Sequence, residues 1–435
     1  MPMPSGPSQT FASPMNLLPS DLLGFLSSWM RPTAGLPTVW WALLIAAAAA
    51  AGHLVQRYMG LPKVVGYSLV GTVVGLAGFE GAVWPLQGTA LYLMELGVAI
   101  VLFEAGGRLP LGWFRRNPMV LAQSLAESGL TFAAVWWTLR AFDVPPSVIA
   151  PLALIAVAAS PAVLSRVVID IRASGPVTER ALALSTLNTL YALTLAYVFA
   201  GRLENTPQGF MENFHPILTV LGLSFVVGAV MALALRSALR VMSPTSENTS
   251  ILLLAIIGAG AAVASAWGGA APLAALIGGV LLKGLNPRPW VWPRQLGTAA
   301  SLVTMLMFVL VSIVAAQAEW NLTVATVVLA LIGARAVAKI AGVALANPGS
   351  GTSWRQALWI GCAMAPLSSI ALLIASGFVT ASPLLGHLIT QVALPAILLM
   401  EVLGAVLATI ALYGARESSR PWAPEAFTAP EDTQR

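Results

Sequence analysis

Thirteen apolar runs, each close in length to a membrane-spanning helix, follow one another between residues 38 and 413 of this chain. A bilayer core requires about 20 apolar residues per helix, and a segment inside it must satisfy its own backbone hydrogen bonds. The sequence therefore predicts an all-α integral membrane protein with these transmembrane spans: 38–55, 62–79, 89–107, 118–139, 146–168, 179–200, 216–239, 250–267, 270–286, 297–317, 321–346, 353–377 and 386–413.

The charge content excludes an ordinary soluble protein. Only 9% of the residues are charged, whereas soluble domains contain about 25%. The net charge of +5 is explained by basic cytoplasmic loops beside anionic lipid, so it does not indicate a nucleic-acid partner. The single cysteine, Cys362, lies in an apolar span and cannot form an internal disulfide.

Two of the spans carry a proline among small residues near their midpoints. Pro161 interrupts 146–168, and Pro366 interrupts 353–377. Proline removes a backbone donor and clashes with the preceding turn. Irregular backbone at membrane depth survives only inside protein or beside a water-filled cavity. A matched pair of interrupted spans is the best sequence indication of a secondary transporter's binding site.

The order of the spans predicts an internal repeat. Six spans (38–200) precede a lone linker helix (216–239), and six more (250–413) follow, so the interrupted span is fifth in each half. Equivalent spans then cross in opposite directions, which gives two inverted six-helix repeats whose discontinuous helices cross. We expect one transmembrane domain over 38–413, a loose leader over 1–37 and a disordered tail over 414–435.

Basic residues alternate between the predicted loops. Odd-numbered loops carry fourteen of them and even-numbered loops only Arg140 and Arg202. Because cytoplasmic loops are enriched in Lys and Arg, the N-terminus is expected outside and the C-terminus in the cytoplasm, in a multi-pass protein of a bacterial inner membrane. The basic residues of the odd loops are Arg57, Lys63, Arg108, Arg115, Arg116, Arg166, Arg172, Arg180, Arg236, Arg240, Lys283, Arg288, Arg294 and Arg355.

Few ionisable residues are predicted at membrane depth, and each is a functional candidate because its burial is costly. Arg335 and Lys339 share one face of the eleventh span. They either neutralise helix ends, carry a proton or anchor unwound backbone. Glu127, in the equivalent fourth span, is expected to face Arg335, and Glu401 is the counterpart of the Asn188 region. Either acid is a proton site or a counter-ion. Glu104 is expected to pair locally with Arg108.

Polar residues near the interruptions supply candidate ion ligands. Asn188 and Thr189 lie in the middle of the sixth span, Ser160 precedes Pro161, and Ser368 and Ser369 follow Pro366. Such residues either bind a small cation or only form hydrogen bonds between helices. No P-loop, GxSxG, HExxH or zinc-ligand spacing occurs, so the sequence predicts no enzyme activity, cofactor or metal centre.

Over residues 38–413 the chain resembles the cation–proton antiporter superfamily, in particular its thirteen-span sodium/proton exchanger branch. Leu102-Phe103-Glu104-Ala105-Gly106-Gly107-Arg108-Leu109 is similar to a Leu-Phe-Glu-Gly-Gly-Leu stretch of that family. Ala159-Ser160-Pro161 occurs where the family has Thr-Asp-Pro, and Leu187-Asn188-Thr189 where it has Asn-Asp. Arg335 to Lys339 resembles the basic helix beside the second interrupted span.

The resemblance implies a homodimeric antiporter of monovalent cations and protons, in which a core moves against a scaffold. It also implies carboxylates at positions 160 and 189, where this chain has Ser160 and Thr189. A proton therefore requires another carrier, and Lys339, Glu127 and Glu401 are the candidates. The sequence leaves open a carrier of the same fold for an anionic or neutral solute, or a member that does not exchange ions.

Overall fold

A computed structural model describes residues 35–79, 81–82, 84–109, 114, 117–204, 210–243, 246–286 and 294–420. The described residues are almost entirely helical, with one isolated bridge between Ala173 and Ser418 as the only β-type pairing among them. The helices are α1 Gly35–Leu54, α2 Lys63–Leu76, α3 Gly88–Arg108, α4 Pro118–Ala141, α5 Pro146–Val157, α6 Pro161–Ile171, α7 Pro176–Glu204, α8 Phe210–Val241, α9 Glu247–Ala266, α10 Ala271–Leu285, α11 Arg294–Ala316, α12 Leu322–Leu345, α13 Trp354–Ala363, α14 Ser369–Ala381 and α15 Pro383–Gly414.

The chain divides into two compact units, Met1–Leu43 and Leu44–Arg435. Of the first unit, the structure describes only the beginning of α1, so most of the predicted leader 1–37 lies outside the described residues. The second unit contains the rest of α1 and all the other helices.

Each predicted span coincides with one helix or with a pair of half-helices, so the all-α membrane fold with two discontinuous helices is confirmed. Among the described residues, eight helices are long and apolar enough to cross a membrane, counting α5 and α6 as one. The remaining helices fall below this length or hydropathy because they are short or carry polar residues. Helices α2 and α10 have only 14 and 15 residues, and α4 has a polar face that includes Gln123, Ser124 and Glu127.

Prolines start several of these helices. Pro118, Pro146, Pro161, Pro176 and Pro383 each stand at the beginning of a helix. The first residues of a helix have no intrahelical acceptor for their N–H groups, so a proline there removes nothing and its fixed φ suits the helix. Pro161 therefore both ends the hydrogen bonding of α5 and starts α6.

The packing repeats between the two halves. Helix α3 packs against α10 in the same way as its counterpart α11 packs against α2. Helix α4 packs on α5 as α12 packs on α13, and α4 and α12 pack on each other. The helix pairs are thus exchanged by the internal symmetry, which brings the two interrupted spans together.

A scaffold of apolar helices surrounds α10. Phe103 of α3, Met231 of α8, Ile257 of α9 and Ala274 of α10 belong to one buried cluster, to which Ala300 of α11 also contributes. Helices of this cluster contact α7 and α15, which carry buried polar side chains.

The segment after α15 makes defined contacts, in contrast to the predicted disordered tail 414–435. The Glu417 carboxylate accepts hydrogen bonds from the backbone N–H groups of Val177 and Thr178, at 2.8 and 2.7 Å, and from the Thr178 hydroxyl at 2.7 Å. A carboxylate stabilises a helix N-terminus because that end has free N–H groups and a positive dipole. Residues 415–420 are thereby attached to the start of α7. Residues 421–435 lie outside the described residues.

Helices α4 and α12 approach closely at Gly342. A Cβ atom added there would lie 2.4 Å from the Glu127 Cα. Gly342→Ala therefore separates α12 from α4 at Glu127, and we expect a loss of stability of about 1–3 kcal/mol, typical of overpacking. A lower melting temperature of the purified protein in detergent would report this loss.

Gly333→Ala is the matched control on the same helix, because open space surrounds Gly333. Alanine at an exposed helical position is favoured over glycine by about 0.8–1.0 kcal/mol, so this variant should melt at the same temperature or higher. Equal melting temperatures for the two variants would contradict the close contact.

Candidate functional site at the crossing of the broken helices

The two interrupted spans meet through their unwound segments. One segment joins α5, which ends at Val157, to α6, and the other joins α13, which ends at Ala363, to α14. The Ser160 N–H donates to the Pro366 carbonyl oxygen at 3.1 Å. Pro161 and Pro366 are therefore neighbours in space, as the sequence predicted for crossed broken helices.

Arg335 neutralises both unwound segments at once. Its guanidinium is fully buried and donates to the carbonyl oxygens of Ala156 and Ala158 at 2.8 Å each. It also donates to Ala365 at 2.5 Å and to Pro366 at 3.3 Å. These carbonyls lie at the C-terminal ends of α5 and α13, where free acceptors and the helix dipole favour a cation. Arg335 thus occupies the negative ends of both half-helices.

Lys339, one turn further along α12, forms an ion pair with Glu127 of α4. Its Nζ lies 2.6 Å from the Glu127 Oε1, and both side chains are 0% exposed. The sequence predicted that Glu127 would face the basic helix at Arg335, and its carboxylate forms its ion pair one turn further along that helix, with Lys339. Lys339 also donates to the Val157 carbonyl at 3.3 Å, the acceptor that Pro161 leaves without its helical donor.

Polar side chains of α4 and α7 complete the surroundings of this carboxylate. Glu127 accepts hydrogen bonds from the Thr131 hydroxyl at 3.0 Å and from the Asn188 amide. The Asn188 Oδ1 accepts from Ser124 at 3.1 Å and from Ser128 at 3.0 Å. We call these six residues the Glu127 cluster: Glu127, Lys339, Asn188, Ser124, Ser128 and Thr131.

The hydroxyls of Thr189 and Ser160 lie beside the first unwound segment. The Thr189 Oγ1 is within donating distance of the carbonyl oxygens of Ala159, at 2.9 Å, and Ser185, at 2.8 Å. The Ser160 Oγ accepts from the Val163 N–H at 3.3 Å and caps α6. Both hydroxyls therefore stabilise irregular backbone at the crossing.

A second polar group surrounds Glu401, next to the other unwound segment. The Glu401 carboxyl accepts from the Ser312 hydroxyl at 2.9 Å and from the Ser368 hydroxyl at 3.3 Å. Ser369, which follows, is buried, and its hydroxyl has no hydrogen-bond partner among the described residues. Glu401 therefore lies apart from the Glu127 cluster, and the structure divides the predicted acids between the two broken spans.

Two cavities approach α7 from opposite ends. One of about 370 Å³ is bordered by Glu104, Arg108 and, on α7, by residues as far along as Thr186. The other, of about 730 Å³, is mostly apolar, begins on α7 at Leu190 and includes Ser128 of the Glu127 cluster. Asn188 and Thr189 lie between them along the helix. The local pair of Glu104 and Arg108, with atoms 2.5 Å apart, is as predicted.

Several residues at the site were missed by the sequence reasoning. Ser124, Ser128 and Thr131 recur at helical spacing on the face of α4 that carries Glu127, so the period of that polar stripe would have revealed them. No comparable signal marks Ser312, which stands alone among apolar residues of α11.

Comparisons with known proteins agree with this architecture. A family model described as sodium/hydrogen exchanger, transmembrane, matches residues 43–413. A structure of the sodium proton antiporter MjNhaP1 from Methanocaldococcus jannaschii at pH 8 superposes with a TM-score of 0.65 at 16% identity, covering 87% of this chain and 98% of that one. A second MjNhaP1 structure, from electron microscopy, gives a TM-score of 0.64 at 16% identity, covering 94% and 100%. No curated protein matches the sequence.

The four carbonyl contacts of Arg335 predict a large loss of stability in Arg335→Met. Each buried carbonyl left without a donor costs about 1–3 kcal/mol, so we expect destabilisation above about 3 kcal/mol, seen as a lower melting temperature and reduced yield of monodisperse protein. Arg335→Lys should recover only part of the loss, because an ammonium cannot reproduce the planar fork of donors.

Arg140→Met serves as the control, since Arg140 is an exposed arginine that lies over the Trp136 ring at 5.5 Å. This variant should stay close to the wild-type melting temperature. A similar small effect for Arg335→Met would mean that the crossing does not depend on the guanidinium.

Proposed function

Because the chain belongs to the sodium/hydrogen exchanger family, we propose that it exchanges a monovalent cation for protons across a bacterial inner membrane by alternating access. The family is one of membrane transporters, and its activity is cation/proton antiport. The two cavities that end on either side of Asn188 and Thr189 support two-sided access. In this proposal the core helices around the crossing move against the apolar scaffold around α10.

The observation that carries the proposal is the fully buried ion pair of Glu127 and Lys339. In the proton-loaded state the ammonium of Lys339 neutralises the Glu127 carboxylate. When a cation enters, it takes the place of the ammonium at the carboxylate, and Lys339 releases one proton to the aqueous cavity. The pair together with the bound cation has the same net charge as the pair with its proton, so the electrostatic cost of burial changes little during exchange.

The Glu127 cluster has suitable ligands for such a cation. The Glu127 carboxylate, the Asn188 amide oxygen and the hydroxyls of Ser124, Ser128 and Thr131 are all oxygen donors within one network. Hard cations prefer oxygen ligands. Ser160 and Thr189 lie at the first unwound segment, Ser368 and Ser369 lie at the second, and in this proposal these four hydroxyls also line the ion path, while Pro161 and Pro366 keep the two helices unwound there.

Arrangement in the membrane belongs to the same proposal. The alternation of basic loops supports an external N-terminus and a cytoplasmic C-terminus. In that orientation the attachment of Glu417 to the start of α7 lies on the cytoplasmic side. The family resemblance supports a homodimer, with the scaffold helices as the interface. The transmembrane domain is proposed to cover residues 38–413, with the repeats at 38–200 and 250–413 on either side of the linker helix 216–239.

The alternative is a carrier of an anionic or neutral solute, or a member that exchanges nothing. An anion carrier requires a positive charge that is available to the solute. Arg335 is instead occupied by four carbonyls, and Lys339 by Glu127 and Val157. The donors of both basic side chains at the crossing are therefore occupied by groups of the protein itself, and the charge of Lys339 is balanced by Glu127, which favours cation exchange.

Transport by reconstituted protein tests the proposal. We expect Na⁺, Li⁺ or K⁺ to dissipate an imposed pH gradient in proteoliposomes that contain the wild-type protein. Lys339→Met alone leaves a buried carboxylate unpaired and should cost about 3–5 kcal/mol of stability. The double variant Glu127→Gln with Lys339→Met removes both charges, so it should fold again but show no cation-dependent proton flux.

Choline chloride and protein-free vesicles are the controls for leakage. A correctly folded double variant with wild-type flux would exclude the ion pair as the proton carrier. A wild-type protein that responds to none of the cations would favour the non-exchanging alternative.

Thr189→Asp tests the position of the site on α7. The Thr189 hydroxyl now contacts the carbonyl oxygens of Ala159 and Ser185. A carboxylate in its place would face the same two oxygens, so it would be stable only with a bound cation or proton. We expect stronger cation-coupled proton flux, measured in the same vesicles. Thr409→Asp, at a buried threonine of α15, controls for an acid introduced into a helix. Unchanged flux in folded Thr189→Asp protein would place position 189 outside the site.

A further inference from the structure

Glu401 is a buried acid that the proposed exchange at Glu127 does not use. It is 0% exposed, in the middle of α15. Its carboxyl contacts the hydroxyls of Ser312 from α11 and Ser368 from the second unwound segment, at 2.9 and 3.3 Å. The buried hydroxyl of Ser68 from α2 lies next to the same carboxyl but makes no hydrogen bond of standard geometry. Four parts of the chain thus direct oxygen atoms to one point.

Close backbone approaches bring these four parts together. A Cβ at Gly404 would lie 2.5 Å from the Pro366 Cα, so α15 presses directly on the unwound segment one turn after Glu401. A Cβ at Gly71 would lie 2.7 Å from the Ser312 Cβ, so α2 presses on α11 one turn after Ser68. The polar point is therefore enclosed by backbone contacts on both sides.

No basic side chain neutralises Glu401 within the described part of the chain. Arg335 reaches the same unwound segment, but its donors are directed at the four carbonyls. No other ionisable side chain described on the helices packed against α15 forms an ion pair or hydrogen bond with Glu401; these are Lys63 and Tyr67 of α2, Arg166 and Asp170 of α6, Lys339 of α12, and Arg355 and Cys362 of α13. Within the described residues, the charge of an ionised Glu401 therefore has no counter-ion.

We propose that Glu401, with Ser68, Ser312 and Ser368, forms a second binding site for a monovalent cation. In the empty site the carboxyl carries a proton and the hydroxyls surround it. When Na⁺ binds, the carboxyl loses that proton to solution and the carboxylate takes the cation, so one positive charge replaces another. Serine hydroxyls rotate freely and have two lone pairs, so the same oxygens that donate now can accept a cation.

The location gives this site a role that is separate from the Glu127 cluster. Glu401 and Ser368 belong to the crossing, whereas Ser312 and Ser68 belong to α11 and α2, which pack on each other. A cation bound at this point holds α15 and the unwound segment against α11 and α2. Because the site is fully buried, a cation enters or leaves only when these helices separate. Occupancy therefore favours the packed arrangement over the separated one.

Equilibrium binding of ²²Na⁺ to the purified full-length protein in detergent tests the inference without measuring transport. We expect two sodium ions per wild-type chain if the Glu127 cluster also binds one. Glu401→Gln should lose the ion at Glu401 and retain the ion at the Glu127 cluster. Glu127→Gln should lose the ion at the Glu127 cluster and retain the ion at Glu401. Glu95→Gln is the matched control, because Glu95 is a partly buried acid of α3 that also accepts a hydrogen bond from a serine, Ser265, at 3.1 Å.

Ser312→Ala keeps the carboxyl and removes one ligand, so it tests the site even where Glu401→Gln fails to fold. It should weaken sodium binding at this site at least fivefold and leave the melting temperature without sodium nearly unchanged. Wild-type stoichiometry and affinity in Glu401→Gln or in Ser312→Ala would overturn the second site. One ion in wild type that is lost in Glu401→Gln would support this site and contradict the proposed one at Glu127. One ion in wild type that is lost only in Glu127→Gln would contradict the site at Glu401 and support the one at Glu127.

Discussion

The arrangement at the crossing depends on one buried guanidinium. Unwinding two helices at the same place leaves backbone carbonyls without donors, and in an apolar interior each such group is costly. Arg335 satisfies carbonyls of both segments with one side chain. Its rigid fork of five donors suits this task, and its charge opposes the negative ends of α5 and α13. Since both segments bind to the same group, their relative geometry is tied to the position of α12.

Helix α12 performs three tasks at successive turns of one face. Arg335 joins the broken helices, Lys339 pairs with Glu127, and Gly342 allows α4 to approach closely enough for that pair. The spacing of four and three residues keeps all three on the same side of the helix. Because Arg335 already neutralises the half-helix ends, Lys339 is available for the carboxylate. A side chain at position 342 would push α4 away and separate the ion pair, so packing and electrostatics are coupled on this face.

The sequence predicted the spans and the two interruptions well because both follow from strong, local physical rules. The length of an apolar run reports the bilayer thickness, and a proline among small residues in the middle of a span removes a backbone donor and crowds the preceding turn. The ion-pair partner of Glu127 was harder to predict from the sequence. The internal symmetry indicates that α4 and α12 meet but does not say at which turn. That register depends on Gly342, one glycine among many. Ser312 and Ser68 gave no signal at all, since an isolated serine in an apolar helix commonly bonds its own backbone.

Contacts between distant parts of the chain were also beyond sequence reasoning. Glu417 binds the start of α7 across 239 residues, and nothing in its neighbourhood distinguishes it from an acid in a solvated tail. The attachment became clear only when the N-terminus of α7, with free N–H groups at Val177 and Thr178, was found beside it. Residues that serve a distant helix end cannot be recognised from local composition.

The two buried carboxylates of the crossing solve the same electrostatic problem in different ways. Glu127 has an ammonium from its own chain, and this partner balances its charge inside the protein. Glu401 has only hydroxyls as partners among the described residues, so on our proposal its charge is balanced by a proton or by a cation from outside. A site with a built-in ammonium does not need a second acid on α7, which is consistent with the hydroxyl of Thr189 at that position. In the proposed exchange the proton-carrying group is Lys339 on α12 and not an acid on α7, while the two broken helices still cross.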